Sequence, residues 1–314
     1  MAILTKPRED ELEALVGRYD LGALRSATGI EAGTVNTSMR LELGSGRHFL
    51  RIYEEQGFDG ASAEAALLLH LAAAGVPTPG PLRARDGAMV HVVAGKPAAL
   101  FPWVEGEILC QARVDAAAAW EVGVALARIH RAGAPAEIGE GRFGPADLVI
   151  RCDRVARSSD PEARAMAAPL REAVEGVAAR RARDLPSGLV HGDLFRDNVL
   201  WDEGRIAALL DFESAHRGPF AYDIAVTILS WSYRDALDAA VARAIVDGYR
   251  TARELEPAER EGLFDELVLA SLRFTITRIT DEAIRVGKRW QRFVARREAV
   301  ERLGRRGVVE MLGL

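Results

Sequence analysis

Lysine and asparagine are nearly missing from this 314-residue chain, which has three lysines (Lys6, Lys96, Lys288) and two asparagines (Asn36, Asn198). The two cysteines, Cys110 and Cys152, lie in unrelated contexts without metal-ligand spacing, which argues against a disulfide scaffold, a zinc site or a redox pair. No apolar run nears the roughly 20 residues that a bilayer-spanning helix needs. The opening Met1-Ala2-Ile3-Leu4-Thr5-Lys6-Pro7 lacks the long apolar stretch of a secretory leader. No basic tract is long enough to follow a phosphate backbone, and 41 basic against 46 acidic residues leave a net charge of −5. Neither nucleic acid nor a membrane is an expected partner, and the cytoplasm is the expected compartment.

Apolar material is ample. It makes up 49% of the chain against 28% charged residues, too much for a disordered protein. A chain of this length exceeds what one hydrophobic core usually serves, so two lobes are expected. The first reads as mixed. After a short acidic helix around Pro7 to Val16, the runs Met39–Leu43 and Phe49–Tyr53 alternate apolar with polar residues about Gly44-Ser45-Gly46, an antiparallel hairpin. A helix over Ser62 to Ala74 stops at Gly75-Val76-Pro77, and strands near Met89–Val93 and Ala98–Phe101 complete a small sheet.

Pro102-Trp103-Val104-Glu105-Gly106 reads as a connector. The expected division is therefore a lobe over 1–101, a hinge over 102–106 and a second lobe over 107–314. From Val114 the pattern is mostly helical, with an apolar face through Trp120, Val124, Ala127 and a further helix across Arg164 to Arg183. Strand-like pieces interrupt it between Leu189 and Leu210, and helices resume from Asp223. The arginine-rich stretch from Arg296 to Arg306 is expected as a solvated helical face.

Chemistry concentrates between His191 and Asp211. Val199–Trp201 and Ile206–Leu210 flank Asp202-Glu203-Gly204, so they are expected to pair as a hairpin that returns Asp211 to the end where Asn198 lies. Asp193 precedes the hairpin by five residues. Two carboxylates and one amide carbonyl are hard oxygen donors of the kind magnesium takes together with water and phosphate. An aspartate left over from metal binding can orient an attacking hydroxyl and accept its proton.

His191-Gly192-Asp193, then Asn198, then Asp211 resemble the catalytic loop and metal-binding aspartate of the aminoglycoside phosphotransferase and choline kinase superfamily, relatives of the protein kinases. The resemblance implies an α+β, bilobal protein-kinase-like fold, with a small antiparallel β lobe carrying a helix and a larger, mainly helical lobe. It implies ATP and Mg2+ as cofactors, Asp193 as catalytic base, Asn198 and Asp211 as metal ligands, and Asp223 as a brace for the loop. It also implies a phosphate-binding cation on the third strand with a helix glutamate to position it, which Arg51 and Glu64 supply. Gly33, Thr34, Asn36, Thr37 and Ser38 take the place of the phosphate-covering turn, and Phe101, Trp103 and Val104 pass the adenine.

Only eleven residues separate Asp211 from Asp223, with no Ala-Pro-Glu sequence, so a peptide-binding platform is not expected and the acceptor is a small molecule. Tyr19-Asp20-Leu21-Gly22, Gly29–Gly33, Asn36-Thr37-Ser38, the loop from His191 to Leu200, and Leu272-Arg273-Phe274 with Arg278 and Asp281 resemble the homoserine kinases of this superfamily. That resemblance implies transfer of a phosphoryl group to L-homoserine. An acceptor with a carboxylate and an ammonium needs a cation and an acidic or carbonyl partner, for which Arg196, Glu213, Arg273 and Arg278 are candidates. A choline-like amino alcohol, a methylthioribose-like sugar, an aminoglycoside, and a nucleotide-binding module without catalysis are the alternatives.

Overall fold

The computed structural model of the protein describes residues 4–31, 35–136, 138–281 and 290–314. Two compact units result, Met1–Glu107 with Ala207–Glu213, and Ile108–Ile206 with Ser214–Leu314. The expected connector 102–106 falls inside the first unit, which also takes in the seven residues that end two positions past Asp211.

The first unit is the mixed α+β layer. Helix α1 (Glu9–Val16) is followed by strands β1 (Leu24–Ile30), β2 (Thr37–Leu43) and β3 (Gly46–Ile52), helix α2 (Phe58–Ala73), and strands β4 (Val90–Val93) and β5 (Lys96–Pro102). The strands form one antiparallel sheet in the order β1-β2-β3-β5-β4. Alternation decides which face is buried: Thr37, Met39, Leu41 and Leu43 of β2 point inward with His48, Leu50 and Ile52 of β3. Leu12, Leu15 and Val16 of α1 join Leu41, Leu50, Ile52, Ala98 and Leu100 in one core. The same alternation puts Arg51 on the opposite face from Leu50 and Ile52, paired across the sheet with Ser38 and Ala99.

The second unit is mainly helical. After a two-residue strand β6 (Glu107–Ile108) come helices α3 (Ala116–Ala132), α4 (Pro145–Val155), α5 (Pro161–Ala165) and α6 (Ala167–Arg180). Strand β7 (Ser187–Val190) leads to a hairpin of β8 (Val199–Asp202) and β9 (Arg205–Leu209), of which Ala207 onward is counted with the first unit, and then to β10 (His216–Pro219), which pairs back on β7. Glu203 and Gly204 turn this hairpin with φ of 45° and 78°, the left-handed pair that a tight two-residue turn requires. Helices α7 (Phe220–Trp231), α8 (Ala239–Arg250), α9 (Pro257–Thr280) and α10 (Gln291–Leu312) complete the unit.

Asp115 caps α3 by accepting the Ala118 N–H at 2.8 Å. Helices α3 and α8 pack at backbone distance through paired glycines. A Cβ on Gly123 would stand 2.0 Å from the Ile245 carbonyl oxygen, and one on Gly248 would stand 2.1 Å from that of Trp120. Both cysteines are free; Cys110 is exposed, whereas Cys152 is buried and burial pushes its thiol up. Among the described residues no helix is long and apolar enough to cross a membrane.

The arginine-rich stretch of α10 departs from the solvated face expected of it. Arg302 and Arg306 do face solvent, but Arg296 and Arg297 each bury Nε and Nη1. Phe293 packs inward between Arg296 and Phe274 of α9, and draws the start of the helix against the unit.

Candidate active site

In the first unit Arg51 is held from two sides. Its Nη1 donates to Glu64 Oε1 at 2.8 Å and lies 3.9 Å from Glu213 Oε1. Burial alone would push the guanidinium down, but Glu64, Asp211 and Glu213 hold it above its ordinary value. Glu64 is pushed up by burial, with Arg51 opposing, and its second oxygen accepts from Gln56 Nε2 at 3.2 Å. Glu213 is pushed up to about 7 by burial and by the neighbouring Asp211. Asp211 itself sits at φ 62°, a left-handed conformation uncommon outside glycine and tolerated by aspartate.

The turn before β2 is tied down by its side chains. Asn36 donates from Nδ2 to Glu213 and accepts the Glu54 N–H on Oδ1 at 3.1 Å. Thr37 Oγ1 donates to Glu54 Oε1 at 2.5 Å and accepts the N–H groups of Leu4 and Thr5. Lys96 closes the set by donating to Glu54. Burial works against the Glu54 charge, yet Lys96, Thr37 and Thr5 together keep its carboxyl below the usual range. Ser38 pairs with Ile30 and Arg51 in the sheet. Gly33 and Thr34 lie outside the described residues. Phe101 is buried on β5 against Phe49, with Trp103 and Val104 just past the strand and the Arg47 guanidinium 5.9 Å from the Trp103 ring.

In the second unit the loop 191–198 is braced along its length. The N–H groups of His191 and Gly192 donate to the two oxygens of Asp223 at 2.7 and 2.8 Å. The Gly192 carbonyl accepts from Arg273 Nη1 at 2.6 Å, and the Leu194 carbonyl accepts from Ser230 Oγ and Trp231 Nε1. The Asp193 carbonyl accepts the Phe195 N–H at 2.7 Å and Asn198 Nδ2 at 2.8 Å. Gly192 has φ 74°, and a Cβ there would stand 2.8 Å from the Ser214 carbonyl oxygen, so no other residue fits the turn. Arg273 Nη1 also lies 3.7 Å from Asp193 Oδ1.

Behind Asp223, the expected brace, runs a buried relay through His130, Tyr249 and Arg253 that the sequence reading missed. Asp223 is fully buried; burial would raise its carboxyl, but His130, His191 and the Gly192 N–H hold it below the usual range. An anionic carboxylate only accepts, so His130 Nε2 carries the proton and donates to Asp223 at 3.1 Å. His130 Nδ1 then accepts from the Tyr249 hydroxyl at 2.7 Å, whose oxygen accepts a hydrogen bond from Arg253 Nη1 at 3.0 Å. Arg253 in turn pairs with Glu259. The one signal in the sequence was a histidine on the apolar side of α3. Lys96 carried a clearer one, since lysine is so scarce.

The four acceptor candidates separate. Glu213 belongs to the Arg51 cluster, and Arg273 holds the loop 191–198 with its guanidinium between Phe143 and Phe274, 4.3 and 4.0 Å from the ring centres. Arg196 donates from Nη1 to the Leu109 carbonyl at 3.2 Å, and Arg278 lies by the cluster of the Phe195, Phe274 and Phe293 rings, whose centres are 4.9 to 6.3 Å apart. Arg278 lies 5.7 Å from the Phe293 ring centre.

A small antiparallel sheet lobe, a helical lobe and an aspartate loop braced from the next helix define a phosphotransferase. Residues 26–262 match the phosphotransferase enzyme family, and the chain belongs to that family. It is an ATP-dependent small-molecule kinase that phosphorylates an alcohol group. The chain is 35% identical to a homoserine kinase of Caulobacter sp. (strain K31) over 291 residues, 90% of this chain and 89% of that protein. It is 33% identical to a homoserine kinase of Parvibaculum lavamentivorans over 293 residues, 90% of this chain and 88% of that protein. Among solved structures, an amicoumacin kinase in complex with AMP-PNP, Ca2+ and Ami shares the fold with a TM-score of 0.69 at 15% identity, over 94% of this chain and 93% of that one. The α+β protein-kinase-like architecture expected from the sequence is the one observed.

Proposed function

We propose that the chain transfers the γ-phosphoryl group of ATP, taken as its Mg2+ complex, to the hydroxyl of L-homoserine, giving O-phospho-L-homoserine. Similarity to homoserine kinases along nine-tenths of the chain carries this reading. Asp193 orients the acceptor hydroxyl and takes its proton as the phosphoryl group leaves ADP. Arg273 acts through Asp193 and the Gly192 carbonyl as a positioning residue, and Asp223 keeps the loop from relaxing.

Asn198 and Asp211 would hold the metal. The donors suit a hard divalent ion, because the Asn198 amide nitrogen is taken by the Asp193 carbonyl, leaving Oδ1 as the atom it offers. A bound ion supplies charge neutralisation on the phosphate oxygens. Arg51 binds phosphate as a planar fork held by Glu64. The backbone of Gly33, Thr34, Asn36, Thr37 and Ser38 covers the phosphates, with the Asn36 and Thr37 side chains spent on fixing the turn. Backbone groups at Phe101, Trp103 and Val104 read the base.

The test is ADP release with Mg2+, ATP and a panel of L-homoserine, choline, methylthioribose and kanamycin. Turnover is expected with L-homoserine alone. No turnover with it, or faster turnover with another acceptor, overturns the reading.

A further inference from the structure

We propose that Arg296, flanked by Arg196 and Arg278, binds the carboxylate of the amino-acid acceptor and so sets acceptor specificity. This rests on the reading of L-homoserine as acceptor. Arg296 buries Nε and Nη1 without a hydrogen-bond partner for either. Two guanidinium nitrogens stripped of water and left unpaired are costly, and an arrangement of this kind persists where an anion completes it. Its Cζ lies 4.4 Å from the Phe293 ring centre and 5.3 Å from that of Tyr233, so the guanidinium rests against two aromatic rings.

The surroundings are cationic. Burial pushes the Arg296 guanidinium down to about 10; Tyr233 opposes this, while Arg292, Arg196 and Arg278 add to it. Among the described residues no carboxylate is one of these principal influences. Arg278 shares the Phe293 ring with Arg296. Arg196 also buries an unpartnered Nε, and its Nη1 is anchored on the Leu109 carbonyl at 3.2 Å. Arg196 stands three residues past Asp193, and Phe195 packs on both Phe274 and Phe293. The cluster is therefore joined to the catalytic loop within the second unit. A desolvated fork matches the flat, two-oxygen geometry of a carboxylate.

The experiment compares wild type with Arg296→Met on L-homoserine and on 3-aminopropan-1-ol, the same acceptor without its carboxylate, at saturating ATP. The variant is expected to raise KM for L-homoserine about 100-fold, the scale of losing a desolvated charge pair, while KM for ATP shifts by less than about twofold. Removing the carboxylate and removing the guanidinium should not compound: the double change is expected to cost no more than either alone. An unaltered KM for L-homoserine, two losses that multiply, or an equal rise in KM for ATP overturns the proposal, the last by assigning the cluster to nucleotide phosphate. Where Arg296→Met melts early, Arg296→Lys keeps the charge without the fork and is expected to raise the same KM about tenfold; no rise overturns the proposal. Wild type inactive on L-homoserine removes both this proposal and the reading beneath it, whereas active wild type with an indifferent variant removes this one alone.

Discussion

Asp193 sits in a loop whose backbone has little left to give. Gly192 and Leu194 have their carbonyls claimed by Arg273, Ser230 and Trp231, and the Asp193 carbonyl takes two donors of its own. Each hydrogen bond to a charged partner contributes about 1.5–3 kcal/mol, so the aspartate is presented by a frame that does not need to reorganise during reaction. Asp193→Asn leaves that frame in place and removes the proposed proton acceptor. Turnover is expected to fall by at least about 10³-fold, with the Kd for nucleotide, read by calorimetry, within a fewfold of wild type. A variant that keeps full activity would take Asp193 out of the reaction.

Several helices meet at His130. It lies on α3, bonds Asp223 on α7 and Tyr249 on α8, and through Arg253 reaches Glu259 on α9. Burial holds its imidazole below the ordinary range against the pull of Asp223, so the native protein keeps it neutral. Unfolded, it titrates near pH 6.5. As the pH drops through that value the unfolded chain binds a proton that the native chain refuses, and stability falls. In urea melts, wild-type midpoints are expected to decline from pH 7.5 to 5.5. His130→Asn, which keeps a donor toward Asp223, should start about 1–3 kcal/mol lower and decline less steeply. Parallel declines in both proteins would contradict this account. Asp223 was expected as a brace, but the relay behind it was not legible beforehand, because its links join residues 93 and 119 positions apart and periodicity reports only neighbours along one element. The turn at Glu203 and Gly204 was legible for the opposite reason: its chemistry is local.

At the scale of the whole molecule, metal and nucleotide binding proposed for Asp211 has a readout in overall stability. Ligand binding to the native state raises stability by mass action, about 2.7 kcal/mol at a hundred times Kd. The melting temperature is expected to climb with Mg2+ and ATP, to lose that gain in EDTA, and to lose most of it in Asp211→Ala. An equal gain in the variant, followed by scanning fluorimetry, would remove Asp211 from metal binding. The α+β order and the aspartate loop could be read from alternation, turn residues and a short motif. The place of Glu213 could not, since its partner Asn36 is 177 residues away and its charge had suggested an acceptor contact.

The scarcity of reactive side chains also makes the protein an easy one to label. Cys152 is shut away with a suppressed thiol and Cys110 is open to solvent, so a maleimide dye should attach at one position without removal of any other cysteine. That position lies two residues into the second unit, past the point where the chain first enters it. A single fluorophore there gives a ready optical reporter for following nucleotide and acceptor titrations on the unaltered enzyme.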